Sequence, residues 1–530
     1  MKKTLFCGIV KQKFYSFAKA GKESCGRMEN KMFRCSELLK KVPYTCLQGE
    51  DSVEITQVVY DSRKITKGCM FICIEGVNFD GHDFAEEAYK EGASCLVVSK
   101  DVILPKDSAI TIIKVENTRY AMAFIAAAYF GNPAEKLKVI GITGTKGKTT
   151  TTYLVKSILE NAGHKVGLVG TIEVIIGDTH IHANNTTPES FLLQQYFAQM
   201  VESGCDTVVM EVSSQGLMLH RTQGFIFDYG IFTNIEPDHI GPNEHASFEE
   251  YMACKGLLFK QCRVGIVNCD DKHYKTVTEG HTCKLLTYGF SKEADYCASR
   301  MELVHEKGHI GVDFTVSGQV NMEVEISTPG RFSVYNALTA IAICEQFGVG
   351  EEAIKKALLH ASVKGRIELV KVSDEFTLMI DYAHNAMALE SLLGTLKEYE
   401  PHRLVCLFGC GGNRSKMRRY EMGEVSGKLA DFTIITSDNP RFEEPQAIID
   451  DIVVGMKKTN GRYIEIPDRK EAIRYAITHG EPGDIIVLAG KGHEDYQEIK
   501  GVKYPMDERV LIADILRELE ETNCSSTQQS

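Results

Sequence analysis

Ten residues, GITGTKGKTT from Gly141 to Thr150, close an apolar run that begins at Leu137 and lead into a helix-like stretch. A strand, a glycine turn and a helix start in that order form a cradle for nucleotide phosphates. Glycine lets backbone N–H groups turn toward phosphate oxygens, a lysine neutralises charge, and a hydroxyl can reach Mg²⁺. Gly144, Thr145, Lys146, Gly147, Lys148, Thr149 and Thr150 are the expected contacts, and ATP is the expected ligand. Five residues separate Gly141 from Gly147, one more than in the usual P-loop, so TGTKGKTT describes the segment better than the common pattern. A glycine turn that binds nothing is the plain alternative, and the Lys148-Thr149-Thr150 run disfavours it.

Further chemistry lies downstream. The run TVVMEVS places Glu211 where a strand leaves its sheet, and Asp238 and His239 follow the run YGIFTNI. Mg²⁺ prefers oxygen, so Glu211 is the better ligand and His239 the less usual one. Considered alone, Glu211 is as readily a solvated strand end, and Lys255 in EEYMACKGLLF a surface lysine. Near the end of the chain, LVCLFG, FTIITS and DIIVLAG precede the polar loops GCGGNR, DNPR and GKGHE. Arg414 and Arg441 offer guanidinium forks and Glu494 an anion, a set suited to a ligand with both carboxylate and ammonium groups. The competing expectation pairs both arginines with Glu443, Glu444 or other acids.

These loops need strands to hold them. From about Ser36 to Ala134 short β-rich runs alternate with helical stretches, and GNPAEKLK then marks a boundary. VIGIT, KVGLVG, TVVMEVS, YGIFTNI and VGIVNCDD follow as buried strands of a parallel sheet. About Tyr288 to Glu325 alternates like edge strands, and a third unit starts near Gly365, where ligand loops belong at the carboxyl ends of a doubly wound sheet. The expected α/β organisation is a basic extension over 1–32, domains over 33–135, 136–364 and 365–530, and a polar tail NCSSTQQS. His305-Glu306-Lys307-Gly308-His309 matches the HExxH zinc pattern, but Gly308 interrupts any helix and period-two alternation follows, so a hairpin is expected.

Composition narrows the class. The chain of 530 residues carries net charge −12, is 43% hydrophobic, and has no apolar run near the ~20 residues of a membrane span. Its 17 cysteines show no CxxC pairing, which fits reduced thiols and a cytoplasmic protein. An acidic balance argues against nucleic acid as the main partner. The start MKKTLFCGIVKQKF mimics a signal peptide, but Lys11 and Lys13 cut its apolar segment short.

TGTKGKTT, NNTTPES, MEVSSQGLMLHR, FTNIEPDH, ACKGLLF, GRIE, DYAHN, GCGGNR, SDNPR and AGKGHEDY occur in one order over residues 36 to 517. In that order the chain resembles the Mur ligases, most closely the branch that adds the third amino acid to UDP-N-acetylmuramoyl-L-alanyl-D-glutamate. The resemblance implies three domains: a small UDP-binding α/β domain, a central P-loop ATPase-like sheet and a C-terminal Rossmann-like domain. It implies a peptidoglycan-precursor ligase in which ATP phosphorylates the substrate carboxylate and an amine displaces phosphate. Closure of the third domain over the second would then shield the acyl phosphate from water. It also implies Mg²⁺ held by Thr149, Glu211, His239 and Lys255 carbamylated by CO₂, with Lys148, Lys255, Glu211 and His239 as the catalytic set.

By the same resemblance Asn336 lies near the base, Arg366 near phosphate and Asp381 near ribose. Tyr60, Ser62, Val77, Asn78 and Phe79 match uridine-side positions, and Asn185, Thr186, Thr187, Ser213 and Arg221 hold the muramoyl dipeptide. Arg414, Asp438, Asn439, Pro440, Arg441, Gly490 and Glu494 match the amino-acid site. Leu219 replaces the family's glutamine two residues before Arg221, and IGPNEH replaces LDYHG after the DH pair. The arginine of DNPR resembles enzymes that use meso-diaminopimelate, because its extra carboxylate pairs with a guanidinium where L-lysine would bring an ammonium. A monomer is expected. L-Lysine as the amine, a folylpolyglutamate-synthetase-like ligase and a non-enzymatic scaffold are the alternatives.

Overall fold

The computed structural model describes residues 32–76, 79–105, 108–238, 240–241, 244–306 and 309–527. All of the expected basic extension except Met32 lies outside them, as do Val77, Asn78 and His239. The described residues form two compact units. One comprises those up to Thr152 with Gly163–Val267 and Asp271–Leu286; the other holds Tyr153–Ala162, Asn268–Asp270 and those from Thr287 onward.

The first unit contains a five-stranded sheet in the order Thr45–Gln48, Thr111–Lys114, Cys95–Val98, Met70–Ile72, Val58–Val59. Only Thr45–Gln48 runs antiparallel. Side chains alternate between the faces of a strand, and both faces here are apolar. Met70, Ile72, Cys95, Val97 and Ile113 pack on one side with Met122 and Ile125 of the helix Thr118–Tyr129. Phe71, Leu96, Val98 and Ile112 pack on the other with Ala85 and Ala88. Asn117 starts the helix Thr118–Tyr129 by accepting hydrogen bonds from the N–H groups of Arg119 and Tyr120.

The same unit holds the predicted parallel strands, ordered Val166–Val169, Thr207–Glu211, Lys138–Thr143, Phe227–Phe232, Cys262–Asn268. The hairpin Glu173–Ile176 and Thr179–His182 adds two antiparallel strands beside Val166–Val169. The loops carrying candidate chemistry leave the carboxyl ends of the three middle strands, where a parallel sheet binds its ligands.

In the second unit Tyr296–Glu306, His309–Gly318 and Met322–Ile326 form an antiparallel meander. In the HExxH pattern His305 and Glu306 end one strand and His309 begins the next, with Glu306 paired to His309, Lys307 and Gly308 lie outside the described residues, and His305 Nδ1 bonds the Tyr399 carbonyl at 2.8 Å. A six-stranded sheet follows the order Glu368–Val370, Thr377–Asp381, Ile485–Ala489, Leu404–Phe408, Phe432–Ile435, Arg462–Glu465, and only the first is antiparallel. Cys406, Phe408 and Val487 face Leu393 and Ile452, whereas Leu407, Ile486 and Leu488 face Ile473 and Ile515. This is the doubly covered sheet expected from its apolar runs.

Of the residues expected as a polar tail from Asn523, those to Thr527 continue the helix Glu508–Thr527 and the rest lie outside the described residues. The stretch has neither glycine nor proline, and extending an existing helix adds a backbone bond per residue without a new nucleation cost. Among the described residues no helix is long and apolar enough to cross a membrane.

Candidate active site

The candidate phosphate loop from Gly144 to Thr150 owes its shape to glycine. Gly144 has φ +152°, and a Cβ there would lie 1.9 Å from Thr233 Oγ1; Gly147 has φ +85°. Asn234 anchors the loop, accepting from the Lys146 N–H at 2.9 Å and donating to the Lys146 carbonyl at 3.0 Å. Thr233 adds a bond to that carbonyl at 2.7 Å. Thr150 sits in the first turn of the helix Lys148–Asn161. Asn234 carried no expected task from the sequence; a polar residue two positions after the buried strand Phe227–Phe232 was the available signal.

Two lysines meet at this loop. Lys148 Nζ donates to the Gly144 carbonyl at 2.8 Å and the Thr145 carbonyl at 3.1 Å, and Lys255 Nζ to the same Gly144 carbonyl at 3.0 Å. Lys255 is only 1% exposed, and its nitrogen lies 4.4 Å from the centre of the Tyr251 ring. Its reading as a surface lysine is thus overturned: the helix Phe248–Gly256 turns it inward along with Tyr251, Met252 and Cys254. Burial, reinforced by the charge of Lys148, holds Lys255 well below the ordinary lysine range, with Asp238 opposing.

Glu211 is likewise buried, at 1% exposure, not a solvated strand end. Its carboxylate accepts from Thr149 Oγ1 at 3.0 Å to both oxygens, from the Thr171 N–H at 2.8 Å and from Thr171 Oγ1 at 3.0 Å. A buried carboxylate beside a threonine hydroxyl is an oxygen-only donor set, which suits Mg²⁺. Among the described residues no group of three or more His, Cys, Asp and Glu is arranged to hold a metal. A neutral buried amine is also the form that adds CO₂. Both implied groups fit these residues.

Next to Glu211 lies the NNTTPES segment. Thr187 Oγ1 donates to the Glu211 carbonyl at 3.0 Å and accepts from the Ser213 N–H at 2.9 Å; Thr186 Oγ1 lies 3.0 Å from Thr171 Oγ1, and Asn185 is exposed. Ser213 caps the short helix Ser214–Met218. Arg221 donates to the Thr187 carbonyl at 3.1 Å and pairs with Glu189 at 2.9 Å, while Arg119 binds the other Glu189 oxygen at 2.9 Å. Leu219 follows that helix as its C-cap and is half-buried. Tyr60 packs its ring 5.6 Å from Phe191, Ser62 opens the turn Ser62–Lys64, and Phe79 is 75% exposed.

The second unit gathers the three predicted loops. Arg441, at φ +51°, donates to the Gly412 carbonyl at 2.7 Å and pairs with Glu498 at 3.1 Å. A Cβ on Gly411 would lie 3.2 Å from Arg441 Nη1 and 3.9 Å from Arg414 Cγ, so both arginines border that glycine. Neither pairs with Glu443 or Glu444; buried Arg419 takes Glu443 at 2.7 Å and Asp451 at 2.9 Å. Asp438 accepts from the Asn439 N–H at 2.5 Å, and a Cβ on Gly490, φ +104°, would lie 3.2 Å from Asp438 Oδ2. Pro440 is buried, and Asn439 Nδ2 donates to Glu494 at 2.9 Å.

Elsewhere in this unit Asp381 is half-buried and accepts from the N–H groups of Ile367 and Ala383, each at 2.8 Å; desolvation raises its carboxyl above the ordinary range. Arg366 lies 4.8 Å from the Tyr382 ring centre. Asn336 is buried in the helix Arg331–Gln346, whose Arg331 guanidinium stands 3.7 Å from the Phe290 ring centre.

Beneath the three polar loops runs a clamp with no local signal in the sequence. Arg469, 1% exposed, pairs with Glu508 at 2.8 Å and donates to the carbonyls of Ser437 at 3.1 Å and Ala489 at 3.0 Å. Those carbonyls lie at the mouths of the DNPR and GKGHE loops. Arg469→Met leaves a carboxylate buried without its partner, an expected cost of about 3–5 kcal/mol. The expected readout is a lower thermal unfolding midpoint; an unchanged midpoint would show that the clamp does not support the loops.

Three family models match successive stretches: "Mur ligase family, catalytic domain" over residues 54–130, "Mur ligase middle domain" over 142–344, and "Mur ligase, glutamate ligase domain" over 365–492. A protein of Caldanaerobacter subterraneus subsp. tengcongensis named UDP-N-acetylmuramoyl-L-alanyl-D-glutamate--2,6-diaminopimelate ligase is 45% identical, covering 92% of this chain and 100% of its own. A Clostridioides difficile protein of the same name is 38% identical over the same shares. A solved structure of an enzyme with that name aligns with TM-score 0.69 and 27% identity, covering 92% of this chain and 100% of its own. The fold is also that of a MurF ligase from Thermotoga maritima in complex with ADP, at TM-score 0.55 and 20% identity, covering 88% of this chain and 98% of its own.

Proposed function

The chain belongs to the Mur ligase family, and from that premise we propose that it is an ATP-dependent ligase joining diaminopimelate to UDP-N-acetylmuramoyl-L-alanyl-D-glutamate in peptidoglycan-precursor synthesis. The observation that carries this is its identity of 38–45% to diaminopimelate ligases over about nine tenths of its length. We take the amine to be the meso isomer and the working protein to be a cytoplasmic monomer with no nucleic-acid partner.

The γ-phosphoryl group of ATP passes to the D-glutamyl carboxylate, giving an acyl phosphate and ADP. The amine of diaminopimelate then attacks the acyl carbon; a C–N bond forms and phosphate leaves. Such chemistry needs positioning and charge stabilisation more than a protein nucleophile. Backbone N–H groups from Gly144 to Thr150 and the Lys148 ammonium are suited to cradle the phosphates. Thr149, Glu211, His239 and a carbamylated Lys255 would hold Mg²⁺. When bound, the metal neutralises charge on the phosphoryl oxygens.

Asn185, Thr186, Thr187, Ser213 and Arg221 are assigned to the muramoyl dipeptide, and Tyr60, Ser62 and the Val77–Phe79 segment to uridine. Asn336, Arg366 and Asp381 are assigned to nucleotide contacts. For the incoming amino acid, Arg414 and Arg441 take a carboxylate and Glu494 an ammonium, with Asp438, Asn439, Pro440 and Gly490 shaping the site. A phosphate-release assay with ATP, the UDP-muramoyl dipeptide and a panel of amines tests the reading. Turnover should require meso-diaminopimelate, and equal or faster release with L-lysine would sink the amine assignment.

A further inference from the structure

We propose that Lys491 is a positioning residue for amino-acid recognition: its ammonium locks Glu494 and Asn439 together, leaving one Glu494 oxygen free for the incoming ammonium group. The proposal rests on the reading above that Glu494 binds diaminopimelate. Lys491 is fully buried. It donates to Glu494 Oε2 at 2.8 Å, to Asn439 Oδ1 at 3.1 Å and to the Tyr496 carbonyl, which uses all three of its hydrogens.

The network decides how Asn439 points. Two donors, Lys491 and the Glu498 N–H at 2.9 Å, converge on its Oδ1, so its Nδ2 must face Glu494 and donates to Oε2 at 2.9 Å. Glu494 Oε2 therefore receives two bonds from the protein, whereas Oε1 receives none among the described residues. One lysine thus ties the DNPR loop to the GKGHE loop and sets the rotamer of the acid between them.

It also supports the charge on that acid. Burial alone would raise the Glu494 carboxyl; Lys491 and the Asn439 amide outweigh it and hold the group below the ordinary range. The groups facing Glu494 are Lys491 and His493 from its own loop, Asn439 from DNPR, and Tyr382 beyond the strand Thr377–Asp381. Without Lys491 the balance tips toward the protonated acid, which cannot receive an ammonium group as an ion pair.

Full-length Lys491→Met, Glu494→Gln and the double variant are to be compared with wild type by phosphate release. In Lys491→Met the KM for meso-diaminopimelate should rise by about tenfold or more at pH 7, with kcat and the KM for ATP close to wild type. The ratio to wild type should shrink as pH rises, because the acid then ionises without its lysine. In the Glu494→Gln background the same change should add no further rise. Wild type needs no variant: its KM for the amine should stay flat between pH 5.5 and 7, and a rise toward acid in that range would overturn the proposal. So would an unchanged KM in Lys491→Met, or an equal penalty with and without Glu494. If wild type turns over diaminopimelate but Glu494→Gln binds it as well as wild type does, the prior assignment of Glu494 fails instead.

Discussion

Lys255→Ala is expected to abolish ligation, lowering kcat/KM by about 10³-fold or more, with partial recovery when formate or acetate is added. The physical reason lies in the surroundings of the nitrogen. A lysine 1% exposed, 3.0 Å from the Gly144 carbonyl and near a second lysine is poorly placed to carry a proton. Burial penalises the charged form and Lys148 repels it, so the unprotonated amine is favoured well below the usual pH. An amine in that state can add CO₂ and release a proton, which turns a neutral nitrogen into an anionic oxygen donor at the loop where it meets the Gly144 carbonyl. The sign is specific: raising pH increases the reactive amine, so loss of CO₂ from the buffer should depress wild-type activity more at lower pH. Alanine removes the four outer side-chain atoms and with them the nitrogen, so a small carboxylate can enter in their place. Full activity in Lys255→Ala, or complete loss with no response to small carboxylates, would refute the carbamate role.

The second large effect concerns choice of amine. Arg441→Ala should lower kcat/KM for meso-diaminopimelate by about 100-fold, or about 3 kcal/mol, while leaving the KM values for ATP and the UDP-muramoyl dipeptide near wild type. Arg441 uses Nε on Glu498 and Nη1 on the Gly412 carbonyl, and its other guanidinium hydrogens carry no bond among the described residues. Those hydrogens suit a carboxylate in the fork geometry that arginine provides. Because Arg441 also ties the DNPR segment to the GCGGNR loop, its removal could act by loosening the site. L-Lysine separates the two causes. Selective loss of a carboxylate contact leaves the weak rate with L-lysine unchanged or raised, whereas an equal fall for both amines would refute Arg441 as the discriminator.

The ordered motifs already carried much of this: the ATP loop, the family and the three polar loops after apolar strands. Their legibility has a physical source. A phosphate cradle needs Gly144 and Gly147 at φ values that other residues strain to adopt, and a doubly covered sheet needs runs such as LVCLF and IIVLA, so both demands are written locally. What stayed hidden was pairing across distance. Nothing near Arg419 in the chain says that it, not Arg441, takes Glu443, and nothing near Arg469 points to Glu508.

Burial shows the same division. Lys255 and Glu211 are residue types usually found in water, and their immediate neighbours could not say otherwise. Local residue order sets which groups are available, the chemistry they permit and the strands that end beside them. Packing of the whole chain selects which of those groups lose water and which partner each then finds. Desolvation and pairing are properties of the packed chain, and they set whether Lys255 keeps its proton and where Lys491 holds Glu494.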